Sequence, residues 1–297
     1  MPDVEPGAHR AGVVALLGRP NVGKSTLLNY LLGEKLAIVT HKPQTTRSRV
    51  LGILSRPDAQ LLLVDTPGLH DGARPLDRAM RAAAEEAAAD CDVAVILVDP
   101  ERGFEPLHRE WLARLAARGT PALVVATRID RPGAAAAAWP PESAGAAAAV
   151  LRVSAWTGEG VEALLREVVG RLPVSPAYYP DDQLTDRPAR FLAAEAIREA
   201  AFEALSQELP YAIAAEVVEF DESDPRLTRI RANLLVERAS QKRIAVGAGG
   251  AMVKAIGTRA RLAIERQLGR RVHLELRIKV EPGWAKQPNR LKSLGYH

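Results

Sequence analysis

Short apolar runs and stretches of helical spacing alternate through the first 170 or so residues. Residues 13–17, 61–64, 93–98 and 122–126 are apolar runs of strand length, and 150–153 is a shorter fifth. Between them, 26–32 places leucines at 27, 28, 31 and 32, and further helical segments fall at 75–89, 106–118 and 160–171. Strands that are apolar on both faces, alternating with helices, predict a mostly parallel sheet covered on both sides. The alanine-rich stretch 133–149 is a soft helix or a loop and carries no chemistry.

A proline-marked segment, PVSPAYYP at 173–180, ends this pattern. Beyond it, 190–206 reads as a helix. Residues 229–236 alternate, with Ile230, Ala232, Leu234 and Val236 on one face. Residues 271–281 alternate again, with Val272, Leu274, Leu276, Ile278 and Val280 opposite charged and polar neighbours. A helical stretch between the two carries Val253, Ile256, Ala260, Ile264 and Leu268 on one side. Strands with one wet face plus helices predict a small α+β domain. The expected organisation is an α/β domain over 1–175, a linker over 176–189 and the α+β domain over 190–297.

Composition narrows the class. At 47% hydrophobic and 26% charged residues, the chain is neither disordered nor collagen-like. Its one cysteine, Cys91, cannot close an internal disulfide, so a reducing cytosol is the natural setting. No run approaches the roughly 20 apolar residues of a membrane helix, and the first residues, MPDVEPGAHR, lack the apolar core of a signal peptide. The net charge of +4 hides an asymmetry. Residues 226–297 hold 17 Lys or Arg against 4 Asp or Glu, whereas 1–225 hold 23 against 32. A basic back end suits a polyanion, with nucleic acid the first candidate and an anionic membrane surface the second.

The chemistry starts at Gly18-Arg19-Pro20-Asn21-Val22-Gly23-Lys24-Ser25, which fits G-x-x-x-x-G-K-[ST] between a strand and a helix. The glycines let backbone N–H groups curl around phosphate oxygens, and the helix N-terminus adds positive charge. Lys24 reaches the β- and γ-phosphates, and the Ser25 hydroxyl ligates Mg²⁺. Asp65-Thr66-Pro67-Gly68 follows the next apolar strand. Asp65 is placed to hold Mg²⁺, usually through water, and the Gly68 N–H to sense a γ-phosphate. Gln44-Thr45-Thr46-Arg47 lies between them, and one threonine, Thr46 by preference over Thr45, is expected on Mg²⁺ only when the γ-phosphate is present. After the strand ending at Ala126 comes Thr127-Arg128-Ile129-Asp130, where Asp130 can accept two hydrogen bonds from guanine N1 and N2. Ser154-Ala155 can set a backbone N–H near guanine O6. In the basic segment, Gly247-Ala248-Gly249-Gly250 is a G-x-x-G loop between helical segments, suited to clamping single-stranded nucleotides.

With these motifs in place, the chain resembles the translation-factor class of P-loop GTPases and, more closely, the Era family of bacterial ribosome-assembly GTPases. The likeness runs through GRPNVGKSTLLN at 18–29, QTTR at 44–47, DTPGLH at 65–70, TDRPARF at 185–191 and ELPYA at 208–212. It continues through LLVERASQKRIAVGAGG at 234–250, VHLEL at 272–276 and LGYH at 294–297. It implies a Ras-like domain joined to a type II KH domain, with GTP or GDP and Mg²⁺ as cofactors. It also implies binding to the 3′ end of 16S ribosomal RNA during maturation of the 30S subunit by a monomeric protein. The implied nucleotide site takes in 18–26, including Thr26, then 65–69, Thr127, Arg128, Asp130, Ser154 and Ala155, with Lys24, Thr46 and Gly68 nearest the chemistry. Lys254 joins the G-x-x-G loop on the RNA side.

Three departures stand out. Thr127 replaces the family's Asn, which would brace the base site. Arg128 replaces a lysine. The Ala248-Gly249 pair lacks the lysine many relatives carry. Leu69 stands where Ras-type proteins have a water-orienting Gln, so intrinsic hydrolysis is expected to be slow. Asn21 is either a turn residue after Pro20 or, as in some relatives, a ligand of K⁺. Trp284 and Tyr296 either stack on RNA or take core or tail-anchoring roles. His70, His108 and His273 have no ligand spacing and read as core or solvated histidines. The rival functions are an RNA-binding protein with a degenerate nucleotide site and a GTPase peripheral to the inner membrane.

Overall fold

The computed structural model describes residues 8–40, 42, 46–68, 75–136, 139–141 and 144–296. They divide into two compact units, one from 8–37, 46–68, 80–136, 139–141 and 144–186, the other from 38–40, 42, 75–79 and 187–296.

The first unit is built on β1 (Arg10–Gly18), β2 (Val50–Ser55), β3 (Ala59–Asp65), β4 (Val93–Val98), β5 (Ala122–Ala126) and β6 (Ala149–Arg152), in the sheet order β2-β3-β1-β4-β5-β6. Only β2 runs antiparallel, against β3. Every residue of β3, β4 and β5 is buried, as continuous apolar strands require. The helices are α1 (Lys24–Leu32), α2 (Pro75–Ala89), α3 (Pro106–Ala117), α4 (Pro132–Ala136) and α5 (Val161–Val169). Glycines punctuate α1 at both ends: Gly23 precedes it at φ 109° and Gly33 stops it at φ 68°. The chain leaves β1 toward one sheet edge and later returns to β4 on the other side. That switch point opens a crevice at the carboxyl end of β1.

The segment expected as a linker is fastened to this unit. Ser175 N–H donates to His9 O (3.1 Å), Tyr178 N–H to Gln60 Oε1 (2.7 Å) and Ile53 N–H to Leu184 O (2.9 Å). Thr185 Oγ1 donates to Leu51 O (2.6 Å). The prolines at 173, 176 and 180 thus lie in an irregular segment that runs from the start of β1 past Gln60 of β3 to the edge strand β2, outside the ladders where a missing N–H group would cost most.

The second unit comprises α6 (Ala189–Ala204), β7 (Ala214–Asp224), β8 (Leu227–Val236), α7 (Ala239–Val246), α8 (Ala251–Leu268), β9 (Arg271–Val280) and α9 (Pro288–Ser293). The sheet order is β7-β8-β9, with β7–β8 antiparallel and β8–β9 parallel, the arrangement expected of a type II KH domain. Ile230, Ala232, Leu234 and Val236 form the buried face of β8 and meet Ile197, Phe202, Ile256 and Ile264 in one core. Trp284 and Tyr296 belong to the interior as well. They are 0% and 4% exposed, with ring centroids 6.4 Å apart, and Trp284 Nε1 donates to Ala212 O (3.3 Å). A buried indole with a satisfied N–H cannot stack on RNA, so the core or tail-anchoring alternative holds. Among the described residues no helix is long and apolar enough to cross a membrane.

Candidate functional site

The loop from Gly18 to Gly23 leaves β1 at the crevice, and α1 begins at Lys24. The Lys24 ammonium is buried and donates to Gly18 O (3.1 Å) and Arg19 O (3.0 Å). Burial pushes its pKa down from 10.5 to about 8, and the Asp65 carboxylate opposes that shift. Asp65 ends β3 beside it. Burial raises this carboxyl, while Lys24, Ser25 and Thr46 pull it back down.

Three hard oxygens converge here. Ser25 Oγ donates to Asp65 Oδ2 (2.6 Å) and lies 2.9 Å from Thr46 Oγ1, which lies 3.2 Å from the same Oδ2. Asp65 Oδ1 is buried without a hydrogen-bond partner. Two hydroxyls beside an ionisable oxygen and an unsatisfied one suit Mg²⁺, which favours few protein oxygens and keeps its waters and phosphates. Among the described residues no cluster of three His, Cys, Asp or Glu offers a rival metal site. Thr66 Oγ1 ties the following turn to Leu16 O (2.7 Å). Gly68 then passes so near the phosphate loop that a Cβ there would fall 2.6 Å from Pro20 Cα. Only glycine permits that approach. Gln44, Thr45, Leu69 and His70 lie outside the described residues.

The base side corrects one expectation. Thr127 does brace the site. Its Oγ1 lies 2.7 Å from Val22 O and 3.2 Å from Val98 O, so the hydroxyl proton bridges from β5 to the phosphate loop, the shorter contact being to Val22. Arg128 Nη2 donates to Asn21 O, and its Nη1 pairs with Asp99 Oδ2 (3.3 Å). Asn21 (φ 60°) and Arg128 (φ 55°) are two of the three described non-glycine residues with positive φ. Such strain persists where the surrounding structure over-determines it. Asp130 is exposed, and Ser154 Oγ donates to its Oδ1 (2.6 Å) while accepting the N–H groups of Trp156 (3.2 Å) and Thr157 (3.1 Å). Ala155 follows on the same loop. His108 is buried, neutral and pushed down to about 4, accepting the Glu105 N–H at Nδ1 (2.9 Å) to cap α3. His273 is exposed on β9.

In the second unit the G-x-x-G loop joins α7 to α8. Gly247, Gly249 and Gly250 have φ of 74°, 58° and 83°. Ala248 and Gly249 are exposed, and so is Lys254 in the first turn of α8. Lys242 and Arg243, also exposed, sit in the last turns of α7 just before the loop. They place two positive charges within five residues of Gly247, beside a loop that has none of its own. Their spacing from Gly247 was the available signal in the sequence.

A Ras-type nucleotide crevice followed by a KH-type unit defines a P-loop GTPase with an RNA-binding module. Residues 13–128 match the family described as 50S ribosome-binding GTPase, and 208–285 match the KH domain family. GTPase Era of Syntrophus aciditrophicus (strain SB) is 42% identical over 292 residues, covering 97% of this chain and 95% of that protein. GTPase Era of Xanthomonas campestris pv. campestris (strain B100) is 43% identical over 297 residues, covering 98% and 99%. A crystal structure of Era in complex with MgGDPNP and nucleotides 1506–1542 of 16S ribosomal RNA superposes with a TM-score of 0.88 at 33% identity, covering 97% and 99% of the two chains. A point variant of Aquifex aeolicus Era bound to GDP·AlF₄⁻ gives the same TM-score, identity and coverage. The chain belongs to the Era family of GTPases.

The Thr127 brace has a measurable consequence. Thr127→Val keeps the shape and removes only the donor, leaving the Val22 carbonyl unsatisfied at a cost of about 1–3 kcal/mol. Part of that cost falls on nucleotide binding, because the braced loop is the phosphate loop. Thermal melts with and without GDP should show a smaller GDP-induced rise in Tm for the variant. An unchanged rise would make the contact irrelevant to the site.

Proposed function

We propose that this GTPase is a nucleotide-dependent switch that binds the 3′ end of small-subunit ribosomal RNA and assists 30S assembly. The observation that carries the reading is the convergence of Ser25, Thr46 and Asp65 in one unit, paired with an exposed three-glycine loop in a strongly basic second unit.

In this reading Lys24 contacts the β- and γ-phosphates, Ser25 and Thr46 hold Mg²⁺ directly, and Asp65 holds it through water. Bound Mg²⁺ neutralises charge on the phosphate oxygens. The Gly68 N–H meets the γ-phosphate, so its loop responds to hydrolysis. Asp130 reads guanine N1 and N2, and the Ala155 N–H reads O6. Asn21 is the residue available to a K⁺ ion. Gly247 to Gly250 clamp the RNA backbone with Lys254 alongside. We place the protein in the cytoplasm as a monomer. The same basic surface gives it a route to peripheral contact with the inner membrane.

The test is a titration of the full chain with single-stranded RNA of the 16S 3′ end, loaded with either a non-hydrolysable GTP analogue or GDP. Binding should be tighter with the analogue and weaker for an unrelated RNA of equal length. Equal affinity in both nucleotide states would remove the switch. Displacement of the RNA by anionic vesicles would favour the membrane reading.

A further inference from the structure

A cavity of about 320 Å³ opens where the phosphate loop meets the loop after β4 and the first turn of α3. Arg19, Asp99, Arg102, Glu105, His108 and Arg128 line it. Lys24, Ser25, Thr46 and Asp65 do not, so it is distinct from the nucleotide cradle. Its charges do not cancel. Glu105 pairs with Arg19 Nε (2.5 Å) and Asp99 with Arg128 Nη1 (3.3 Å). The Nη groups of Arg19 and the exposed Arg102 guanidinium have no partner among the described residues. Three cations against two carboxylates leave one positive charge, in a stretch of chain, 1–225, that is acidic as a whole. His108 adds a buried donor. It is 3% exposed, Phe104 stacks on its ring with centroids 5.3 Å apart, and its Nδ1 accepts the Glu105 N–H (2.9 Å). That bond puts the proton of the neutral imidazole on Nε2, and this N–H is buried with no acceptor. Burial keeps the ring neutral, and the Arg19 charge is near enough to add to the shift.

We propose that this cavity binds a phosphate oxyanion, held by Arg19, Arg102 and the His108 Nε2–H, at a site separate from the nucleotide. What the cavity lacks is acceptors: every group left over in it is a donor. A buried donor without a partner is destabilising until an acceptor reaches it. A water molecule would satisfy His108 and leave the charge unbalanced, whereas an oxyanion supplies several lone pairs and the balancing charge together. The planar guanidinium offers paired N–H groups that match phosphate oxygens. Two sources share this chemistry. One is the inorganic phosphate that each GTP hydrolysis releases, and the other is a backbone phosphate of bound RNA.

The experiment follows the His108 Nε2–H by proton–nitrogen NMR in the full chain, with the resonance identified by its loss in His108→Gln. Inorganic phosphate and a short RNA without terminal phosphates are titrated separately, each against sodium chloride of equal ionic strength. The resonance should shift saturably, and Arg102→Ala should raise the half-saturating concentration by about tenfold. Arg102 is exposed and unpartnered among the described residues, so its truncation removes no contact there. Lys24→Ala should leave the shift in place, because that lysine belongs to the nucleotide cradle. In the Lys24→Ala background phosphate should also still raise Tm, and adding Arg102→Ala should remove most of the rise. A response to phosphate alone assigns the site to the free anion, and a response to the RNA assigns it to the backbone. No shift and no rise in Tm with either would overturn the site, as would an equal response to chloride. A response lost in Lys24→Ala and kept in Arg102→Ala would overturn it too, by placing the phosphate in the nucleotide cradle.

Discussion

Lys24→Ala is expected to abolish tight binding of GTP and GDP. The ammonium is buried at the start of α1, where it donates to two carbonyls of the phosphate loop, Gly18 O and Arg19 O. Truncating one partner of a desolvated charge pair costs about 2–5 kcal/mol, which is roughly 30-fold to several thousand-fold in affinity. A pH signature accompanies the loss. In the free protein, burial holds Lys24 at about 8. Phosphate oxygens favour the cation, so the bound form holds its proton to higher pH. Above pH 8, nucleotide binding must therefore take up a proton, and affinity falls as pH rises, by up to about tenfold per unit. Calorimetry from about pH 7 to about pH 9.5 on both proteins checks this, a window that brackets the free-protein value. The alanine variant should bind weakly at every pH and lose the slope that Lys24 contributes. Wild-type affinity in Lys24→Ala would refute the phosphate-loop assignment.

The same loop shows how far the sequence was legible. Spacing along the chain revealed Gly18 to Ser25 and Asp65 to Gly68, because a phosphate cradle is local and its strand and helix flank it. The buried strands were visible for a similar reason: β4 and β5 are continuous apolar runs, and their bounds match the expected 93–98 and 122–126. Two strands were not visible. Gly52 interrupts the apolar run of β2, where a Cβ would fall 2.7 Å from Leu28 Cδ1, so close packing against α1 erased the pattern. In β7 a register shift between Val217 and Glu219 breaks the alternation, leaving Val218 and Glu219 both exposed. The Thr127 brace was hidden because its partner carbonyl, on Val22, is 105 residues away. The sequence showed a missing Asn, and only the fold shows a hydroxyl doing the bracing.

Gly249→Asp should weaken RNA binding by roughly a hundredfold or more while leaving the fold intact. The loop's three positive-φ glycines are not equivalent. Gly247 combines φ 74° with ψ 175°, a region reserved for glycine, and a Cβ there would meet Met252 N at 2.9 Å. Substitution at Gly247 would therefore damage folding and prove nothing. Gly249 has φ 58° and ψ 18°, and no heavy atom lies within 4 Å of an added Cβ. Asp tolerates this left-handed conformation better than most residues, so the strain is about 1–2 kcal/mol, small enough for the fold to survive. Against RNA the variant loses a backbone approach, with a charge-assisted bond of about 1.5–3 kcal/mol, and gains a like charge worth about 1 kcal/mol at contact in water. Gly269→Asp is the control. It adds the same carboxylate to the same basic unit, at φ 65° and in open space, away from the loop. Full-chain titrations at two salt concentrations should show a large loss for Gly249→Asp, narrowing at high salt as the repulsion is screened, and a small loss for Gly269→Asp. Circular dichroism should place both variants with the wild type. Equal losses would mean that net charge alone governs binding. The G-x-x-G loop would then be a turn between two helices, and the RNA would lie on another face of the basic unit.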